Sequence, residues 1–100
     1  MSMSKTGTLK HGLKVGDPVH KEFELREALA GDMFAAEADA DASRPMTFRA
    51  ALIARQLVRV GGFEGPFSLG MLGRLKGADM AILFKAQQEL DEAGEDVQPA

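Results

Sequence analysis

A change in apolar spacing across residues 19–33 constrains the fold of this 100-residue chain more than any other feature. Val19, Phe23 and Leu25 fall on one side of an alternating pattern, which is the spacing of a half-buried β-strand. From residue 29 onward the apolar side chains recur at helical spacing, as at Met33. A strand is therefore predicted to pass into a helix here, so the fold must contain both kinds of element.

The residues before this stretch predict the first strand of a β-hairpin. Residues 8–15 alternate, with Leu9, His11 and Leu13 on one face, and Gly16-Asp17-Pro18 follows as a strong turn signal. We therefore expect a hairpin over residues 8–26, preceded by a flexible N-terminus at residues 1–7. Because an isolated hairpin is marginally stable in water, its apolar face is expected to pack on helices.

The remaining chain predicts up to four helices. Thr47 is a favourable N-cap for one of them, and Gly61-Gly62 would end it. The expected helices span about residues 29–42, 48–60, 68–75 and 78–93, and an acidic tail at 94–100 is expected to be disordered. The predicted architecture is one α+β domain over residues 8–93, with an N-terminal β-hairpin followed by three to four packed α-helices.

Composition excludes several functional classes. The absence of cysteine excludes disulfides, thiolate catalysis and cysteine-ligated metals. The net charge of −3 comes from 12 basic and 15 acidic residues, a balance that argues against a nucleic-acid partner. No apolar run approaches the roughly 20 residues of a membrane span, and the N-terminus lacks an apolar signal core. The sequence predicts a soluble protein without a membrane or nucleic-acid partner.

No catalytic, metal or cofactor site is predicted. His11 and His20 are the only histidines, and a metal site would require further ligands at fixed geometry. Glu37, Asp39 and Asp41 lack the spaced glycine and closing glutamate of a calcium loop. No nucleophile motif or phosphate loop occurs, so an enzyme is the least favoured class.

The glycine-rich segment from Gly61 to Gly77 is the strongest candidate binding surface, because it combines apolar side chains with six of the chain's 11 glycines. It is open to two interpretations, an irregular buried loop or a pliable surface that receives a partner. On the second interpretation, the predicted client-binding side chains are those of Phe63, Phe67, Leu69, Met71, Leu72 and Leu75.

Two sets of charged residues are also predicted to have a role, one as a candidate partner contact and one in the structure. Arg49, Arg55 and Arg59 are expected on one edge of the second helix, either as a solvated face or as a contact for an acidic partner. Three charges without interleaved aromatic residues make RNA a weak candidate. A second set, at the strand-to-helix corner, is predicted to have a structural role; it consists of Arg26, Glu27 and Asp32.

The order of these features resembles the tail assembly chaperones of Mu-like phages and prophages. The resemblance covers about residues 8–92. The residues that carry it are Thr8-Leu9-Lys10-His11-Gly12, Phe23-Glu24-Leu25-Arg26-Glu27, Gly31-Asp32, Ala51-Leu52-Ile53-Ala54-Arg55-Gln56-Leu57, Leu75, Asp79 and Leu83.

The resemblance implies a binding function in phage assembly. Such a protein would bind the tape measure protein, keep this long helical chain soluble, and help to recruit tail-tube subunits. A frameshift-extended version of the same protein would contact the tube protein. The resemblance further implies self-association, residence in the host bacterial cytoplasm and absence from the mature virion.

Two other functions stay open at this point. The first is a small phage inhibitor or adaptor that acts on a host protein through acidic groups, but the acidic residues are spread along the chain rather than clustered. The second is a structural tail component, which would be found in purified virions.

Overall fold

The structure, a computed structural model, describes residues 3–40 and 43–96. The predicted α+β arrangement, an N-terminal antiparallel hairpin followed by helices, is confirmed. The elements in chain order are β1 (Ser4–Lys14), β2 (Val19–Arg26), α1 (Ala30–Asp39), α2 (Pro45–Gln56), β3 (Leu57–Val60), α3 (Leu69–Leu72) and α4 (Gly77–Asp96).

A third strand replaces the predicted last turn of the second helix. Residues 57–60 form β3, which pairs antiparallel with β2 and gives the strand order β1-β2-β3. Leu57 and Val60 are buried, and Val60 lies opposite Phe23 in the register. The β-branched valines at 58 and 60 suit an extended backbone, and Gly61 follows with a positive φ of 59°. The apolar pattern alone did not separate the helix from the strand.

Other element bounds also differ from the expected ones. β1 begins within the segment expected to be flexible, because Ser4 to Thr8 pair in register with Arg26 to Glu22. α4 continues to Asp96, into the acidic segment expected to be disordered. Asp41 and Ala42 of the first predicted helix, and residues 97–100 of the predicted tail, lie outside the described residues.

A wide bulge interrupts the hairpin near the end of β1. Thr8 pairs with Glu22 and Leu13 pairs with His20, so residues 9–12 all lie opposite a single residue of β2. Gly12 has a φ of 92°, and a Cβ there would lie 2.6 Å from Val19 Cγ1, so this position requires glycine. The bulge breaks the predicted alternation, because Leu9 and Leu13 are buried whereas His11 is exposed.

The carboxylate of Asp79, in the first turn of α4, fills this bulge. Its Oδ1 accepts the backbone N–H of Lys10 at 2.6 Å, and its Oδ2 accepts those of His11 at 3.0 Å and Gly12 at 2.9 Å. The side chain is fully buried. Burial alone would raise the pKa of Asp79, but the N–H donors of Gly12, Lys10 and His11 outweigh it and hold the pKa below its usual value.

Two apolar clusters hold the helices against the sheet. The main cluster joins the inner face of the sheet to α2, α3 and α4; among its largest members are Leu9, Phe23, Leu25, Ile53, Val60, Leu72, Leu83 and Leu90. A second cluster packs α1 on α2 through small side chains, Ala36, Ala40 and Ala51, together with Leu52. Among the described residues, no helix is long and apolar enough to cross a membrane.

Replacing Asp79 with asparagine should destabilise the fold, because an amide cannot accept from three backbone donors and turns an N–H₂ group towards one of them. We expect a loss of about 2–3 kcal/mol in the free energy of unfolding, measured by urea denaturation. Asp17→Asn in the exposed β1–β2 turn removes the same charge and should change stability by less than about 0.5 kcal/mol. Equal stability of Asp79→Asn and Asp17→Asn would contradict the role given to this carboxylate.

The lowered pKa of Asp79 also predicts a pH dependence. Because the folded-state pKa lies below the unfolded value of about 3.9, its stabilisation is fully present above that value. It is lost as the pH falls through the folded-state pKa. The urea midpoint of the wild type should therefore approach that of Asp79→Asn as the pH is lowered below about 4. A constant difference between the two proteins down to pH 2 would contradict this prediction.

Candidate functional site

An apolar groove between α2, α3 and α4 is the candidate binding site. It has a volume of about 300 Å³ and opens to solvent beside Met46, whose side chain is 72% exposed. Its walls come from the start of α2, from α3 with the turn after it, and from the first two turns of α4. The lining residues are Met46, Thr47, Ala50, Leu69, Leu72, Gly73, Leu75, Met80 and Phe84.

The short helix α3 forms one wall of the groove. Ser68 caps it, since its hydroxyl accepts the backbone N–H of Met71 at 3.2 Å. Leu72 points into the core and is 3% exposed. After α3 the chain continues as a tight turn, in which the N–H of Leu75 donates to the carbonyl of Leu72 at 3.1 Å. This turn brings Leu75 to the same groove as Leu69.

The structure brings together three of the six predicted client-binding side chains, because Leu69, Leu72 and Leu75 all line the groove. The other three, Phe63, Phe67 and Met71, are not part of its lining. Phe63 and Phe67 pack edge to face with ring centroids 5.2 Å apart, and Phe67 and Met71 pack against the main core while partly buried. Three of the six predicted side chains therefore pack in or against the core, namely Phe67, Met71 and Leu72.

Sequence reasoning missed the groove residues contributed by α2 and α4. Met80 and Phe84 belong to the apolar stripe of the fourth helix, which predicts burial but does not show that a groove is left between helices. Met46 precedes the predicted N-cap, Thr47, so it was not counted in any apolar face. α2 begins at Pro45, so Met46 lies in its first turn.

Arg49 covers one side of the groove. Its guanidinium carbon lies 5.1 Å from the centroid of the Phe84 ring, and its Nε donates to Gln87 Oε1 at 3.1 Å. Gln87 in turn donates to Gln56 Oε1 at 2.8 Å, and Gln56 donates to the carbonyl of Arg26 at 3.0 Å. Both glutamines are buried, so this polar row fixes the groove edge relative to the sheet.

The Arg26 corner lies at the other end of this row. Arg26 and Asp32 form a two-point ion pair with N–O distances of 2.7 and 2.9 Å, and Asp32 also accepts the N–H of Leu29 at 2.9 Å. The hydrogen bond from Arg26 lowers the pKa of Asp32, more than burial raises it. Arg26 further donates to the carbonyl of Arg55 at 2.8 Å, and the N–H of Glu27 donates to the carbonyl of Met3 at 2.9 Å.

The three arginines of the predicted basic edge do not share one helix. Arg59 lies on β3, where it pairs with Glu22 at 3.1 Å and Glu24 at 3.5 Å. Arg55 pairs with Asp39 of α1 at 3.1 Å. Only Arg49 contacts a side chain that lines the groove. Within residues 3–40 and 43–96, no group of three acidic or histidine side chains is placed to hold a metal ion.

A second exposed apolar surface lies on α1 and at its start. Phe34 is 74% exposed, and Leu29 and Met33 are also exposed. These side chains lie on the outside of the helix, whereas the alanines on its inner face pack against α2. None of these three side chains belongs to the lining of the apolar groove.

Fold and groove together define a small α+β domain with an apolar groove between its helices. A family model described as "Tail assembly protein gp41" matches residues 9–98. The chain therefore belongs to this family of Mu-like phage tail assembly proteins, as its sequence motifs indicate. No curated protein and no solved structure matches the chain significantly.

Two residues of the groove should differ in how much they stabilise the fold, because Leu72 is buried and Met46 is exposed. Leu72→Ala should cost about 2–4 kcal/mol in the free energy of unfolding, because it leaves a cavity in the core. Met46→Ala, at the exposed mouth, should cost less than about 0.5 kcal/mol. Thermal or urea unfolding measures both, and an equal cost for the two variants would contradict the groove geometry.

Proposed function

We propose that this protein is a tail assembly chaperone that binds the tape measure protein of its phage and keeps it soluble. The observation that carries the proposal is the apolar groove between α2, α3 and α4, together with the membership of the tail assembly family. A chaperone that only binds its client and keeps it soluble needs an adaptable apolar surface and no catalytic groups. The groove is such a surface.

The chemistry of the groove suits an amphipathic helical client. Leucine, methionine and phenylalanine side chains form its walls, and a helix in a groove is a common mode of recognition. Methionines at two positions, Met46 and Met80, let the walls adapt to differing apolar side chains along a long client. Arg49, held at the edge beside Phe84, is placed to meet the polar face of a bound helix.

The wider assembly role forms part of the same proposal. Several copies would coat one tape measure protein, and a frameshift-extended version of the chain would recruit the tail-tube protein. The complex would form in the host bacterial cytoplasm, and this chain would leave it before the virion is complete. Mass spectrometry of purified virions tests this last point, since a structural tail component would be found there in stoichiometric amounts.

Co-expression with the tape measure protein of the same phage tests the binding function. We expect the tape measure protein to remain in the soluble fraction with this chain and to aggregate without it. Equal aggregation in both cases would contradict the proposal.

Single substitutions then locate the binding surface. Met46→Glu places a charge at the mouth of the groove and should weaken client binding by about tenfold, the effect of losing one apolar anchor. Phe34→Glu makes the same kind of change on the exposed face of α1 and should leave binding unchanged. Pull-down with a tagged tape measure fragment measures both. Loss of binding in Phe34→Glu alone would move the site from the groove to α1.

A further inference from the structure

A cationic cleft lies beside the hairpin bulge, and it shares no lining residue with the apolar groove. Its volume is about 390 Å³, and it separates the end of the hairpin from the turn between α3 and α4. The cationic side chains in its lining are those of Lys14, Arg74 and Lys76, with His11 beside them. Among the described residues, no carboxylate belongs to the lining.

Within the described residues, these cations have no acidic partner. Elsewhere in the molecule the arginines at 26, 55 and 59 and the lysine at 5 are held by acidic side chains. In the part of the chain that the structure describes, neither Lys14, Arg74 nor Lys76 forms a salt bridge. The nearby carboxylate of Asp79 faces the backbone N–H groups of the bulge and is buried. The cleft is therefore a concentrated positive site on a chain of net charge −3.

The other end of α4 carries the opposite charge. Lys85 is the last basic residue of the sequence, and five acidic residues follow between 89 and 96. Asp91 and Glu92 are exposed, and neither forms a salt bridge within the described residues. A 20-residue helix is about 30 Å long, so Asp91 and Glu92 lie far from the cleft at the start of the same helix.

We propose that the cationic cleft of one copy binds the acidic last turns of α4 of a second copy. Such a contact joins two different surfaces, so a bound pair leaves one cleft and one acidic end free for further copies. The product is an open head-to-tail row rather than a closed dimer. This inference supplies a surface for the self-association within the proposed function, and it rests on that part of it alone.

Charge complementarity favours a second copy over a nucleic acid as the occupant. A nucleic-acid site needs a basic stripe that follows many phosphates, whereas this cleft holds three permanent charges on an acidic protein. Two or three carboxylates spaced along a helix are enough to pair with these three cationic side chains. The matching acidic segment is present on every copy of the chain.

Charge reversal and its compensation test the contact without any client. Lys14→Glu with Arg74→Glu changes the charge of the cleft from +3 to −1. Asp91→Lys, Glu92→Lys and Glu95→Lys together change the charge of the acidic end from −5 to +1. Association is measured by sedimentation velocity of the full chain at low salt. The mean mass of the wild type should increase with protein concentration. Each reversal alone should lower the association constant about tenfold. The chain carrying all five changes should associate again, and so should a mixture of the two reversed proteins.

Arg44→Glu with Lys85→Glu is the matched control, since both residues are exposed and lie outside the cleft. It should associate as the wild type does. The proposal is overturned if the wild type is monomeric, if the reversals leave association intact, or if the variant with all five changes fails to recover it. It is also overturned if cleft reversal abolishes binding to a single-stranded RNA while self-association is unchanged. None of these results alters the outcome of co-expression with the tape measure protein.

Discussion

The carboxylate of Asp79 inside the hairpin bulge is the interaction on which the arrangement of this molecule depends. It joins residues 10–12 of the first strand to the first turn of the last helix, across 67 to 69 positions of the sequence. The next residue, Met80, lines the apolar groove, while Gly12 lines the cationic cleft. One buried carboxylate therefore sets the position of both surfaces. A shift of α4 against the hairpin would change the groove and the cleft together.

Burying a charge requires full compensation, and the bulge provides it. Three successive backbone N–H groups, released from the strand ladder, converge on the two oxygens of one side chain. The same rule governs the polar row between the groove and the Arg26 corner. Gln56 and Gln87 are buried, and each has hydrogen-bond partners. Among the described residues, no buried side-chain nitrogen or oxygen lacks a partner, which is the condition for a well-ordered interior.

The fold class could be predicted from the sequence, but much less of the candidate site could be. Alternation in β2, the turn at residues 16–18 and the apolar stripe of α4 are local signals, and they were sufficient for a hairpin followed by helices. β3 was missed because Leu57 and Val60 fit an apolar helix face as well as a strand, and only their pairing with Leu25 and Phe23 decides between the two. The bulge was missed because its cause, a carboxylate at position 79, lies far away in the sequence.

The apolar groove, too, could be predicted from the sequence only in part. Leu69, Leu72 and Leu75 could be singled out because a glycine-rich apolar segment is unusual, but Phe63 and Phe67 share that composition and pack against each other instead. Composition indicates which side chains will be packed against other apolar groups, but it does not indicate which groups those are. The opposite wall, Met80 and Phe84, is set by the crossing of α2 and α4. That crossing is a tertiary property without a local signal.

Hydrogen exchange of the complex with the tape measure protein tests the central claim most directly. The account predicts slower exchange on binding for backbone amides in residues 45–50, 69–75 and 80–84, which form the three walls of the groove. Exchange along α1, from Ala30 to Asp39, should be unchanged. Slower exchange confined to α1 or to the hairpin, with the groove walls exchanging as in the free protein, would contradict it.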